Sequence, residues 1–213
     1  MRFTHRGNFI DVSLRISILV SISLILAACS SPAPQKAKEP PKPIEPVAAR
    51  VAFQQAFIAA RTWAQDLEVL RVRDILLDGV PTAPGKSAVW EITFVSPSKS
   101  KARAYTYSAV ERDTIHEGVL GGPEESWSGR SGQATSFIAA AFKTDSTEAL
   151  ETASGKSKPY MDKNPGKPVI FLLEKTPRFP NPAWRVIWGT SVGTSDHSIF
   201  IDASTGEYLE RMR

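Results

Sequence analysis

The chain has 213 residues, with 26 Lys and Arg against 22 Asp and Glu, and a single cysteine that excludes any disulfide within the chain. Residues 1–28 hold three of the arginines and one aspartate, so the remaining 185 carry 23 basic and 21 acidic residues, a net charge of +2. With no clustered basic face and no nucleic-acid motif this argues against a nucleic-acid partner, while the length suffices for a packed core without covalent staples.

The amino-terminal segment carries Arg2, Arg6 and Arg15, then the apolar run Ile16 to Leu26, then two alanines before Cys29. This mostly apolar run of eleven residues reaches about 16 Å as a helix, against about 30 Å of hydrocarbon, so it reads as an export signal and not as a permanent span. Leu26-Ala27-Ala28-Cys29 resembles the bacterial lipobox, in which the cysteine thiol receives diacylglycerol, the signal is cut before it and the new amino terminus is acylated. The resemblance implies lipidation at Cys29 and a place in the cell envelope. Ser30, where sorting in enteric bacteria uses Asp to retain lipoproteins in the inner membrane, implies the outer membrane, facing the periplasm, for a Gram-negative source.

Residues 30–46 contain six prolines with Lys36, Lys38 and Lys42 between them, the composition of an extended tether that spans up to about 50 Å. From Val47 the apolar residues Phe53, Ala56, Phe57, Ala60 and Leu67 recur at helical spacing. A strand is predicted over Leu67–Leu77. The runs Ala88–Val95 and Ala102–Val110 alternate and predict an antiparallel hairpin. Gly118–Gly132 reads as a Gly- and Ser-rich connector. Phe57-Ile58-Ala59-Ala60 recurs as Phe137-Ile138-Ala139-Ala140, and Trp90 as Trp184, which predicts a duplication. In the second half, Asp145 and Glu148 have capping-box spacing for a short helix ending at Gly155. Val169–Leu173, Trp184–Val192, Ile199–Ile201 and Tyr208-Leu209 then read as strands.

Trp184-Arg185-Val186 and the ending Ile199-Phe200-Ile201-Asp202-Ala203-Ser204-Thr205-Gly206-Glu207-Tyr208-Leu209 resemble the terminal hairpin of PepSY-type domains, which carries an Asp-x-x-Thr-Gly-Glu turn. The match runs from about Asp145 to Leu209, and the first half lacks the turn. Asp202, Thr205 and Gly206 read as structural: Asp202 can accept from amides two residues on, and Gly206 can take positive φ. PepSY domains occur as protease pro-segments and as free envelope modules. The resemblance therefore implies a non-catalytic module that binds a protein or peptide, with protease inhibition as one form of it.

Signals for catalysis are weak. Beyond the signal only His116 and His197 occur, neither at metal-ligand spacing, and the sequence implies no metal and no cofactor. Consecutive Asp196-His197-Ser198 cannot all converge on one reacting atom. Arg130, between Gly129 and Gly132 and just before a helix expected near Gln133, is a candidate anion contact, and Trp127 and Trp188 are candidate partner contacts. The expected organisation is a signal peptide (1–28), a lipidated cysteine and tether (29–46), a first unit (47–120), a connector (121–132) and a second unit (133–213). The expected fold is α+β, with two tandem helix-plus-antiparallel-β-sheet units of PepSY-like type. The expected function is a non-enzymatic, membrane-anchored envelope lipoprotein that binds a protein or peptide. The alternative is an architectural subunit of a larger envelope complex.

Overall fold

The computed structural model of the protein describes residues 43–212. The lipobox, Cys29 and most of the tether lie outside the described residues. The two-residue strand β1 (Val47–Ala48) leads into helix α1 (Ala49–Ala60), followed by β2 (Glu68–Asp74), β3 (Lys86–Ser87), β4 (Val89–Ser96), β5 (Lys101–Ser108) and β6 (Gly118–Ser126). A small hairpin of β7 (Arg130–Ser131) and β8 (Ala134–Thr135) and a 3-10 turn at Ala139–Ala141 come next. Helix α2 (Ser146–Lys163) then precedes β9 (Val169–Glu174), β10 (Ala183–Trp188), β11 (His197–Asp202) and β12 (Tyr208–Met212).

Eight strands form one antiparallel sheet in the order β12-β11-β10-β9-β2-β4-β5-β6. This corrects the expected α+β architecture of two tandem helix-plus-sheet units. The described chain is mainly β, and one sheet runs through both halves. The join is β2 to β9, with Arg71 opposite Glu174, Val72 opposite Leu173 and Arg73 opposite Leu172. Either strand alone would present an open edge with a buried apolar run on it, and pairing them removes both edges at once.

Both helices pack on the same core. Ala49, Ala52, Ala56 and Ala60 of α1 are fully buried, as are Ala149 and Ala153 of α2. These small residues at helical spacing let each helix backbone approach the sheet closely, and the sheet supplies the bulky groups. Trp90 on β4 and Trp184 on β10 are fully buried, with ring centroids 6.5 Å apart. Each indole donates to a carbonyl two residues before a helix: Trp90 to Val47 at 3.0 Å and Trp184 to Thr144 at 2.8 Å.

The capping box at α2 has the expected geometry, with the Asp145 amide donating to Glu148 at 2.8 Å and the Asp145 carboxylate accepting from the start of the helix. It also serves α1, whose own N-cap is Ala48 and has no side chain to offer. Ser146 Oγ accepts from the Ala49 amide at 2.9 Å and donates to the Gly85 carbonyl at 2.7 Å, and Asp145 Oδ1 accepts from the Arg50 amide at 3.0 Å. Gly85 is required here: its φ is +70°, and a Cβ on it would lie 2.5 Å from Thr147 Cα. Ser146→Ala would strand the Ala49 amide and the Gly85 carbonyl in a buried site. It should destabilise the protein by about 2 kcal/mol in urea unfolding, against about 0.5 kcal/mol or less for an exposed serine.

Three further expectations are corrected. Helix α2 continues through Gly155 and Pro159 to Lys163. Both residues lie on its exposed side, where water can meet the backbone carbonyl that proline leaves unpaired. The supposed connector contains the nine-residue edge strand β6. Gly121 belongs there because Arg103 and Tyr105 of β5 lie over it, so that a Cβ would meet Arg103 Nη2 at 3.0 Å and Tyr105 Cε1 at 3.1 Å. The four-letter repeat falls on unlike elements: Phe57–Ala60 closes α1, whereas Phe137–Ala140 runs into the 3-10 turn.

Candidate binding cleft on the open face of the sheet

Alternation along a strand sends successive side chains to opposite faces. On β10, Trp184 and Val186 enter the helix-covered core while Arg185 turns to the other face; on β11, Ile199 and Ile201 go inward and Phe200 outward. On that open face lies a cleft of about 350 Å³. Its floor is Arg71, Leu172, Glu174, Arg185 and Phe200, and its walls are the Ser131–Ala134 turn, Thr176 to Phe179, and Val192.

The charges are unevenly matched. Arg71 Nε donates to Glu174 Oε1 at 2.5 Å, and Arg178 makes a two-pronged pair with Glu210 at 3.0 and 2.7 Å. Arg185 has only Ser198 Oγ, accepting from Nε at 3.0 Å. No carboxylate among the described residues lies within ion-pair distance of Arg185, and its two Nη groups have no acceptor among them. The guanidinium carbons of Arg178 and Arg185 both lie over Phe200, at 4.9 and 5.6 Å from the ring centroid. Burial, first, and the neighbouring Arg178 charge push the Arg185 pKa down, while Glu174 acts the other way. The guanidinium stays charged. The arrangement is therefore a crowded cationic site on an apolar base, suited to holding an anionic group.

The residues singled out from the sequence fall elsewhere. Trp188 is 3 % exposed, with its ring edge-on to Tyr160 and His197 inside the core. Trp127 is partly buried and packs on Leu70, Val95, Ala102 and Ala134, with its indole nitrogen buried and unbonded. Arg130 is exposed on β7, opposite Thr135; no helix starts at Gln133, so the expected pairing of this arginine with helix amides is corrected. Asp202 Oδ1 accepts from the Ser204 and Thr205 amides at 2.7 and 3.1 Å, Oδ2 accepts from Asn181 at 3.0 Å, and Gly206 has φ +78°. Both oxygens of that carboxylate are engaged, Oδ1 within the turn and Oδ2 by Asn181.

Asp196, His197 and Ser198 diverge. Asp196 accepts from Lys167 at 2.9 Å and from the Tyr160 hydroxyl at 2.6 Å, and these bonds, with Lys167 the larger influence, hold its carboxyl down at about 2. His197 Nε2 lies 2.9 Å from the buried Ser157 Oγ, under the Tyr160 ring, whereas Ser198 meets Arg185 on the opposite face. His116 is exposed beside Glu111 at 2.7 Å. Among the described residues, no group of three or more His, Cys, Asp or Glu side chains is placed to hold a metal ion.

Arg178, Arg185 and Phe200 were not legible as site residues from the sequence. The one available signal was Arg185 alternating between two core residues, which shows where it points but not what it meets. A scan against protein-family models, a search of curated proteins and a search of solved structures each found no match.

Proposed function

We propose that the protein is a non-enzymatic envelope lipoprotein, anchored through Cys29, that binds a protein or peptide partner. The observation that carries the binding reading is the cleft itself: a half-open site with an apolar base and an arginine that has no carboxylate of the described residues within ion-pair distance. The lipobox supports the anchor, and the Asp202–Glu207 turn supports the likeness to PepSY-type binding modules. A protease is one partner class that this likeness suggests.

The cleft is a better site than the β6 edge of the sheet. The edge strand β6 carries Pro123, which cannot donate to an added strand, followed by Glu124 and Glu125, the features by which edges resist pairing. An architectural role would have to use other surface than Trp188, which is buried.

Two experiments test the proposal. Cys29→Ser should move the protein from the membrane to the soluble fraction; a signal-cleaved variant that remains on membranes refutes the anchor. A photoreactive amino acid at Val192, on the cleft rim, should trap a specific envelope protein or peptide in intact cells. The same group at Ile58, 70 % exposed on the outside of α1, should not trap it. Capture at Ile58 alone would place the partner on the helical side.

A further inference from the structure

We infer that the cleft receives the carboxyl-terminal end of a peptide whose last side chain is apolar, with the terminal carboxylate on the Nη groups of Arg185 and the side chain against Phe200, Leu172 and Val192. This rests on the proposed binding of a protein or peptide, and it names the part of the partner that is recognised.

Charge is the first argument. Arg71, Arg178 and Arg185 face Glu174 and Glu210, which leaves one positive charge unmatched, and a single carboxylate neutralises it. A phosphate, with nearly two negative charges, would exceed the match. Arg185 has its Nε held by Ser198, which fixes the guanidinium plane and leaves the terminal nitrogens to meet a planar acceptor in the fork geometry that suits a carboxylate.

Shape is the second. At about 350 Å³ the cleft is at the small end of ligand sites, which span about 300–1,000 Å³, and it is half open. An enclosed pocket would suit a free small acid, which must bury most of its surface. A half-open cleft suits the end of a chain whose remainder leaves through the mouth. Exposed Gln133, on the wall, makes no hydrogen bond within the described residues, so its amide can pair with the backbone of the departing peptide.

The test uses the full processed protein and fluorescein-labelled peptides from a pool of varied sequence ending in Leu, Ile or Phe. Each peptide is made once with a free carboxyl terminus and once as the terminal amide. The free acids should bind, and amidation should weaken binding about tenfold or more, since it removes a charge-assisted bond without touching the protein fold. Arg185→Gln should show a similar loss with its thermal midpoint little changed, and Arg185→Lys a smaller loss. Equal binding of acid and amide would overturn the cleft assignment while leaving peptide binding in place. Octanoate competing as well as the best peptide would overturn the peptide as occupant. Failure of every peptide to bind, together with no capture at Val192, would overturn both this inference and the binding reading.

Discussion

Asp74→Asn should stabilise the protein at pH 8 and leave its stability nearly unchanged at pH 4. Asp74 ends β2, 9 % exposed, and its Oδ1 accepts from the Phe171 amide at 2.7 Å, continuing the β2–β9 ladder beyond its last backbone pair. Burial pushes its carboxyl up to about 7 from an ordinary 3.8, against the opposing pull of the Phe171 amide and the Arg73 charge. Because the folded value is raised, the neutral acid belongs to the folded state and the carboxylate to the unfolded one. Stability therefore falls as pH rises from about 4 to about 7, then levels off. A gap of about three pH units corresponds to about 4 kcal/mol, at 1.36 kcal/mol per unit. Asparagine keeps the acceptor oxygen and removes the charge, so the fall should vanish in the variant. Urea unfolding at several pH values measures it; parallel profiles for the two proteins would refute the account.

Trp184→Ala should destabilise the protein by about 3–5 kcal/mol, the range for removing a large aromatic ring from a packed core. The ring meets Phe142 at 5.6 Å, Phe171 at 6.3 Å and Trp90 at 6.5 Å, and its nitrogen holds the Thr144 carbonyl beside the α2 cap. Trp184→Phe retains an aromatic ring and loses the hydrogen bond, so it should cost less, about 1–3 kcal/mol. A loss below about 1 kcal/mol for the alanine variant would mean that the site collapses and that this tryptophan does not organise the core.

What was legible in the sequence was local. The alternation of Trp90, Ile92 and Phe94 gave the β4–β5 hairpin, Asp145 with Glu148 gave the start of α2, and Asp202 with Gly206 gave the last turn. What was not legible depends on residues far apart in the chain. Strand β6 forms despite its glycines because the Tyr105 and Arg103 side chains cover Gly121. Helix α2 outlasts Gly155 because Ala149, Ala153 and Ser157 anchor its inner face. The single sheet follows from β2 meeting β9, and the cleft from side chains on separate strands and loops, so no local pattern announces either.

The borrowed cap of α1 bears on how the protein is made. Ala49 and Arg50 are satisfied by Ser146 and Asp145, 97 and 95 positions later, and Asp74 reaches Phe171 across another 97. During synthesis the leading half emerges long before these partners, so the start of α1 and the free edge of β2 stay unsatisfied until they arrive. Such distant pairings make for slow acquisition of the native state. The exported chain should remain protease-sensitive until β9 has crossed the membrane.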